Sequence, residues 1–95
     1  MSQHNQPVVV LARQQLADTL GCDAQAVQIV DVEEMEWSDS SLGCPQPGMM
    51  YMQVITPGYR VTLEHSGQRY IFHTDLAHRA IRCDPSGRRA SDMVR

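Results

Sequence analysis

The sequence contains no lysine: its eight basic residues are all arginines, set against eleven acids for a net charge of -3. Apart from the pair Arg88 and Arg89 they are scattered along the chain, so no basic face is assembled for a nucleic-acid backbone. Long apolar runs are missing too. The longest, residues 8–12, falls far short of the roughly 18 residues of a membrane span, and no Arg or Lys precedes it as in a signal peptide. As written, the chain is therefore expected to be soluble and cytoplasmic, with neither nucleic acid nor membrane as partner. If it is a processed form it is exported, and its three cysteines are read accordingly.

Several chemical signatures are also lacking. There is no C-x-x-C and no H-E-x-x-H for zinc, no G-x-S-x-G elbow for a serine nucleophile, and no glycine loop that would cradle phosphate. Internal repeats are absent. What remains is a chain of 95 residues, 42% apolar and 20% charged, the composition of one folded domain. We expect a loose N-terminus at 1–6, a single domain at 7–84 and a flexible tail at 85–95. The tail's ArgArgAlaSer at 88–91 has the form of a basophilic kinase site and is read as incidental.

Pro7 suits the first turn of a helix, and Ala12, Leu16 and Leu20 follow it at intervals of four, with Val8 or Val9 one turn earlier. Gly21 then stands where a helix is capped. The pattern predicts a helix over 7–20 with Arg13, Gln14 and Asp18 toward water. From Val27 to Trp37 apolar residues recur near a period of two, with one change of phase between Ile29 and Val30, which predicts a bulged strand. A second strand is expected over 50–55, ended by a ThrProGly turn at 56–58.

Tyr59 to Asp75 gives the clearest local pattern. With SerGly at 66 and 67 as the turn, His65 faces Gln68, Glu64 faces Arg69, Leu63 faces Tyr70 and Val61 faces Phe72. One face then carries Tyr59, Val61, Leu63, Tyr70 and Phe72. The other is polar, with Arg60, Thr62, Glu64, Arg69 and His73, and only Ile71 misplaced on it. A turn and a short last strand are expected over 76–83. The order of elements predicts an α+β domain, one N-terminal helix packed on a mostly antiparallel sheet of three to five strands.

The stretch WSDSSLGCPQPG at 37–48 is too long for an ordinary connection, so it is anchored by its own contacts or functional. Asp39 or Ser40 can bond nearby backbone N–H groups, Gly43 and Gly48 can take positive φ, Pro45 and Pro47 hold their neighbours extended, and Trp37 can pin the start of the loop into the core. Cys44 has three readings: a disulfide with Cys83 contributing ~3 to 4 kcal/mol, a buried thiol, or a nucleophile with His73 or His78 as base. The first two rank above the third, because no catalytic spacing frames the pair.

A metal set of His73, His78, Cys83 and Cys44 matches no standard spacing, and with Arg60 opposite His73 it is the lesser reading, so no metal and no cofactor is expected. HisThrAsp at 73–75 puts His73 and Asp75 on one strand face, where Asp75 could orient the imidazole. Ser38, Ser40 and Ser41 could in principle complete a triad. Met49, Met50 and Met52 form an adaptable apolar patch around Tyr51, with Met50 and Met52 on one side, which serves either as core or as a surface for a partner or second subunit.

Together Trp37, Asp39, SerLeuGlyCysPro at 41–45, ProGly at 47–48, Tyr51, ThrProGlyTyr at 56–59 and TyrIlePheHisThrAsp at 70–75 resemble a group of small bacterial proteins without an assigned activity. In these a helical segment precedes the W, D, SLGCP, PG loop, followed by the TPGY and HTD segments and a last cysteine. The resemblance covers about residues 9–83 and leaves Cys22 outside its pattern. It marks Trp37, Asp39, Gly43, Cys44, Pro45 and His73 as family positions without giving them roles, and implies that many members are exported.

Two functional expectations follow. The leading one is a non-enzymatic binding domain that engages a protein or peptide, or a second copy of itself, through the 37–50 loop and an adjacent sheet edge, with Trp37, Asp39, Cys44, Met50 and Met52 as its binding residues. The other is a thiol- or metal-dependent site centred on Cys44 and His73.

Overall fold

The computed structural model describes residues 6–46 and 48–83; the expectations for the N-terminal residues, the tail and Pro47 lie outside the described residues. One helix, α1 (Pro7–Leu20), is followed by a single 3-10 turn (Ala24–Ala26) and four strands, β1 (Gln28–Trp37), β2 (Thr56–His65), β3 (Gln68–Asp75) and β4 (Ala80–Cys83). The strands form one antiparallel meander in chain order, with β1 and β4 at the edges. The fold is α+β, a helix on a four-stranded antiparallel sheet.

The helix begins at Pro7, whose missing N–H would have had no intrahelical partner anyway, and ends at Gly21 in the left-handed region. Val8, Val9, Ala12, Leu16 and Ala17 form its buried face, against Tyr59, Val61, Leu63, Phe72 and Ala80 of the sheet and Val27 before it. Gln15 ties this packing to β4 by donating its side-chain N–H to the Ala80 carbonyl, 3.0 Å. Arg13 does not face water as expected. Its Nε–H bridges the carbonyls of Ala24 (2.7 Å) and Val27 (2.9 Å), where the chain leaves the 3-10 turn with carbonyls in need of donors.

The hairpin β2–β3 has the register read from the sequence, His65 opposite Gln68 through Val61 opposite Phe72. Ser66 (φ 51°) and Gly67 (φ 79°) both take positive φ, as a two-residue turn matching the strand twist demands. The bulge in β1 falls at Val30, where the register shifts between Ile29 and Asp31.

Two expectations fail on the far side of the long loop. Residues 50–55 form no strand, and Thr56, Pro57 and Gly58 do not form a turn: they begin β2. The reason is a missing neighbour. Trp37 is the last residue of β1 and pairs with Thr56, so among the described residues no strand lies beside those before Thr56 to supply a ladder. Pro57, lacking an N–H, is tolerated because it pairs with Glu36 alone; β3 joins only from Gly58.

Candidate functional site

The sheet face opposite α1 is where the unusual loop lies. Pairing places Trp37, Thr56, Gly58, Arg60, His73, Ile81 and Cys83 on it. His73 was expected on an open polar face, and its partner is indeed Arg60, but the imidazole is only 8% exposed. The loop covers it. At the hairpin end Arg69 remains exposed and pairs with Glu64 at 3.3 Å.

Trp37 organises the covered end. Its Nε1–H donates to the Thr74 carbonyl at 2.9 Å, and its ring stacks on that of His73 with centroids 4.3 Å apart and planes 19° from parallel. His73 Nδ1 lies 2.7 Å from the Leu42 carbonyl. A carbonyl only accepts, so Nδ1 carries the proton and the loop fixes the tautomer. Burial pushes the His73 pKa below the ordinary 6.5, and the nearby Arg60 charge adds to this; the Leu42 bond works the other way and is outweighed. The ring is therefore a neutral, packed group.

Two glycines give the indole its place. A Cβ on Gly43 would lie 2.8 and 2.9 Å from two atoms of the Trp37 ring, and Gly43 also takes φ 71°. On Gly58 a Cβ would overlap the Thr74 carbonyl that accepts the indole N–H. Leu42, fully buried, precedes Gly43 with φ 59°, a left-handed conformation that costs a branched side chain of this kind about 1–3 kcal/mol and persists here because its side chain and its carbonyl are both engaged.

Further ties complete the loop. Asp39 accepts the N–H of Ser41 at 2.9 Å and also its hydroxyl, and these bonds, the hydroxyl foremost, hold its carboxyl below the usual range. Arg79 donates to the Ser40 carbonyl at 2.9 Å, joining the β3–β4 turn to the loop. That turn is shaped by Asp75, whose Oδ1 accepts the N–H groups of Ala77, His78 and Arg79, each at 2.9 Å. Burial pushes the Asp75 carboxyl up, and the three N–H groups pull it below the ordinary value. Cys44 and Cys83, both buried, are joined in a disulfide with Cα atoms 6.1 Å apart, while Cys22 is free.

The residues singled out from the sequence thus fall into two groups. Trp37 and His73 come together as a buried stacked pair, Cys44 is buried in its bond to Cys83, and Asp39 lies on the same loop. Met50 (94% exposed) and Met52 (73%) stand outside. Between them the Tyr51 hydroxyl accepts the Gln46 N–H at 2.9 Å, and Met52 is bonded to Ser40 through both its carbonyl and its N–H. With Val54 and Ile55, also half or more exposed, they make an apolar rim on the loop.

The catalytic constellations do not assemble. Asp75 spends its carboxylate on its own turn rather than on His73, Ser41 donates to Asp39, and Ser40 accepts from Met52. Cys44 and Cys83 have no free thiolate to offer a metal, and among the described residues no three His, Cys, Asp or Glu side chains form a metal-sized group. A groove of about 500 Å³ exists, but it is lined by Glu34, Met35, Glu36, Pro57, Gly58, Tyr59 and Leu76, and neither Cys44 nor His73 reaches it. Arg79 was not singled out, and Leu42, Gly58 and Thr74 entered only as members of longer motifs. Three act through backbone positions, which residue type does not advertise; Arg79, next to the Asp75 turn, could have been suspected as a link.

A family model described as a domain of unknown function, DUF8738, matches residues 9–83. The chain belongs to this family. The DUF8738 stretch runs from inside α1 to Cys83, so it takes in the sheet, the loop and the disulfide. No curated protein and no solved structure matches the chain. Among the described residues no helix is long and apolar enough to cross a membrane.

Proposed function

We propose that this domain is a non-enzymatic binding module that contacts a protein or peptide through the outer rim of its long loop and the neighbouring edge of β1. The observation that carries the reading is the rim itself: Met49, Met50, Met52, Val54 and Ile55 are each at least half exposed although the loop beneath them is tied down. Large apolar side chains gathered on a surface mark contact sites, and Met in particular adapts to a partner's shape. β1 adds a sheet edge, being the outermost strand on its side among the described residues. Trp37, Asp39 and Cys44 serve the site as its foundation, and Met50 and Met52 as its contact residues.

The alternative, a thiol- or metal-dependent site at Cys44 and His73, would need Cys44 free and both groups accessible; the bond to Cys83 and the burial of both residues weigh against it. On the loop motif we read the family as bacterial, and on the buried disulfide we place the protein in an oxidising, extracytoplasmic compartment.

A photo-crosslinking residue at Gln53, with the same residue at Gln68 on the hairpin tip as control, tests the contact in producing cells. An adduct of discrete mass is expected from position 53 alone, and it should vanish when Val54 and Ile55 are changed to Asp. Equal adducts at both positions, or none at 53, would contradict the reading.

A further inference from the structure

The strand β1 carries Asp31, Glu33, Glu34 and Glu36, and no Arg or Lys occurs in the sequence between Arg13 and Arg60. Pairing divides these acids between the two faces of the sheet. Glu33 stands opposite Arg60 and forms an ion pair with it at 3.6 Å, on the face that the loop shares. Glu34 and Glu36 stand opposite Tyr59 and Pro57, on the face that carries α1. From β1, Ile29 and Val32 reach the core under the helix and are partly buried, whereas Glu34 and Glu36 further along the strand are exposed.

The groove of about 500 Å³ opens at this end of the sheet. Its lining runs from the two carboxylates of β1, over Pro57 and Tyr59 of β2, to Leu76, which follows β3 and is 52% exposed. None of the lining residues is basic. Apolar and aromatic surface with carboxylates along one side complements a side chain that is aliphatic along its stem and cationic at its tip. The volume lies within the range of about 300–1,000 Å³ typical of clefts that enclose a ligand, so there is room for such a side chain and its neighbours. Because β1 is the outermost strand on its side among the described residues, an extended segment laid along it brings every second side chain to the groove. A second copy's β1 laid there would set acids against acids, which disfavours this chain as its own partner.

We propose that this groove takes an Arg or Lys side chain from a basic, extended segment of a partner protein lying along β1, with the cation at Glu34 and Glu36 and the stem against Pro57, Tyr59 and Leu76. The proposal rests on the partner contact at β1 read above and names the chemistry of that partner. Acids exposed at the mouth of a groove also draw a basic segment in from solution, so binding should weaken as salt is added.

The test is a titration of the full chain with a labelled peptide of alternating Arg and Val, and with the same peptide carrying Gln in place of Arg. Affinity is read by fluorescence polarisation and the site by amide chemical shifts. The expected result is saturable binding of the Arg peptide alone, with shifts grouped at Glu34, Glu36, Tyr59 and Leu76. Affinity should fall about tenfold in the double variant Glu34→Gln, Glu36→Gln, whose urea midpoint checks that it is folded. Equal binding of the Gln peptide, undiminished binding by the double variant, shifts grouped elsewhere or an absence of binding would overturn the proposal. So would groove shifts in the free chain that follow Arg88→Gln with Arg89→Gln, which would give the groove to the chain's own residues 84–95, or that follow dilution, which would give it to a second copy. The crosslink at Gln53 separates the two readings. An adduct there beside peptide binding without charge preference removes the groove and leaves the rim; charge-dependent peptide binding with no adduct removes the rim.

Discussion

At the scale of single residues, the loop is held by groups whose side chains would be costly to change in small ways. Gly43→Ala would drive a methyl into the Trp37 ring and strain a backbone with φ 71°, and it should cost about 1–3 kcal/mol. Gly48→Ala, at φ 82° with nothing within 4 Å, meets only the strain, so its loss in urea unfolding should be the smaller. His73 gives a pH prediction. Its pKa is lowered in the fold relative to 6.5, so the unfolded chain takes up a proton first as pH falls. The contribution of the neutral ring is thus complete above about pH 6.5 and declines below it until the folded-state pKa is passed. Urea midpoints followed by the fluorescence of Trp37, the only Trp, should fall across that window, and His73→Asn should flatten the fall. The sequence marked Trp37, Cys44 and His73 as family positions without giving them roles. A stacked ring pair and a bond to a backbone carbonyl leave no trace in residue spacing, whereas the alternation that put His73 opposite Arg60 did.

At the scale of elements, what could be read depended on whether an element carries its own pattern. The β2–β3 hairpin does: turn residues, alternation and an opposite-charge pair agree, and the register follows. The helix carries half of its pattern. Its first turn holds three consecutive valines, which disfavour a helix in isolation, and no side chain caps its start. Its stability comes from the face buried on the sheet. Leu16→Ala, at a fully buried position in that face, should therefore cost about 2–5 kcal/mol in denaturant unfolding. Residues 50–55 had apolar residues in strand-like alternation, yet a strand needs a neighbour as well as a pattern, and β1 ends too soon to be one. Likewise ThrProGly reads as a turn in isolation. The close approach of the Thr74 carbonyl to Gly58 is what demands glycine there, inside a strand.

At the scale of the whole molecule, the sheet is covered by α1 on one face and, at one end of the other face, by the loop. The helix is fastened by apolar burial. The loop, with few apolar side chains of its own to bury, is fastened at separate points: Trp37 on Thr74 and His73, Ser40 on Arg79, Leu42 on His73, and Cys44 on Cys83. The disulfide spans a sequence separation of 39, for which chain entropy alone gives about 4 kcal/mol. Cys44→Ser with Cys83→Ser should lower the unfolding free energy by a value of that order. A covalently held loop is also what lets an apolar rim project into water without collapsing onto the core. Everything proposed for Met49 to Ile55 depends on that staple. The measurement that tests it most directly is the mass of the full chain after denaturation and alkylation, without reductant. One alkylated thiol, mapped to Cys22, with the Cys44 and Cys83 peptides recovered as a linked pair, is the expected result. Three alkylated thiols would contradict it, leaving the loop without its covalent tie and Cys44 a free thiol.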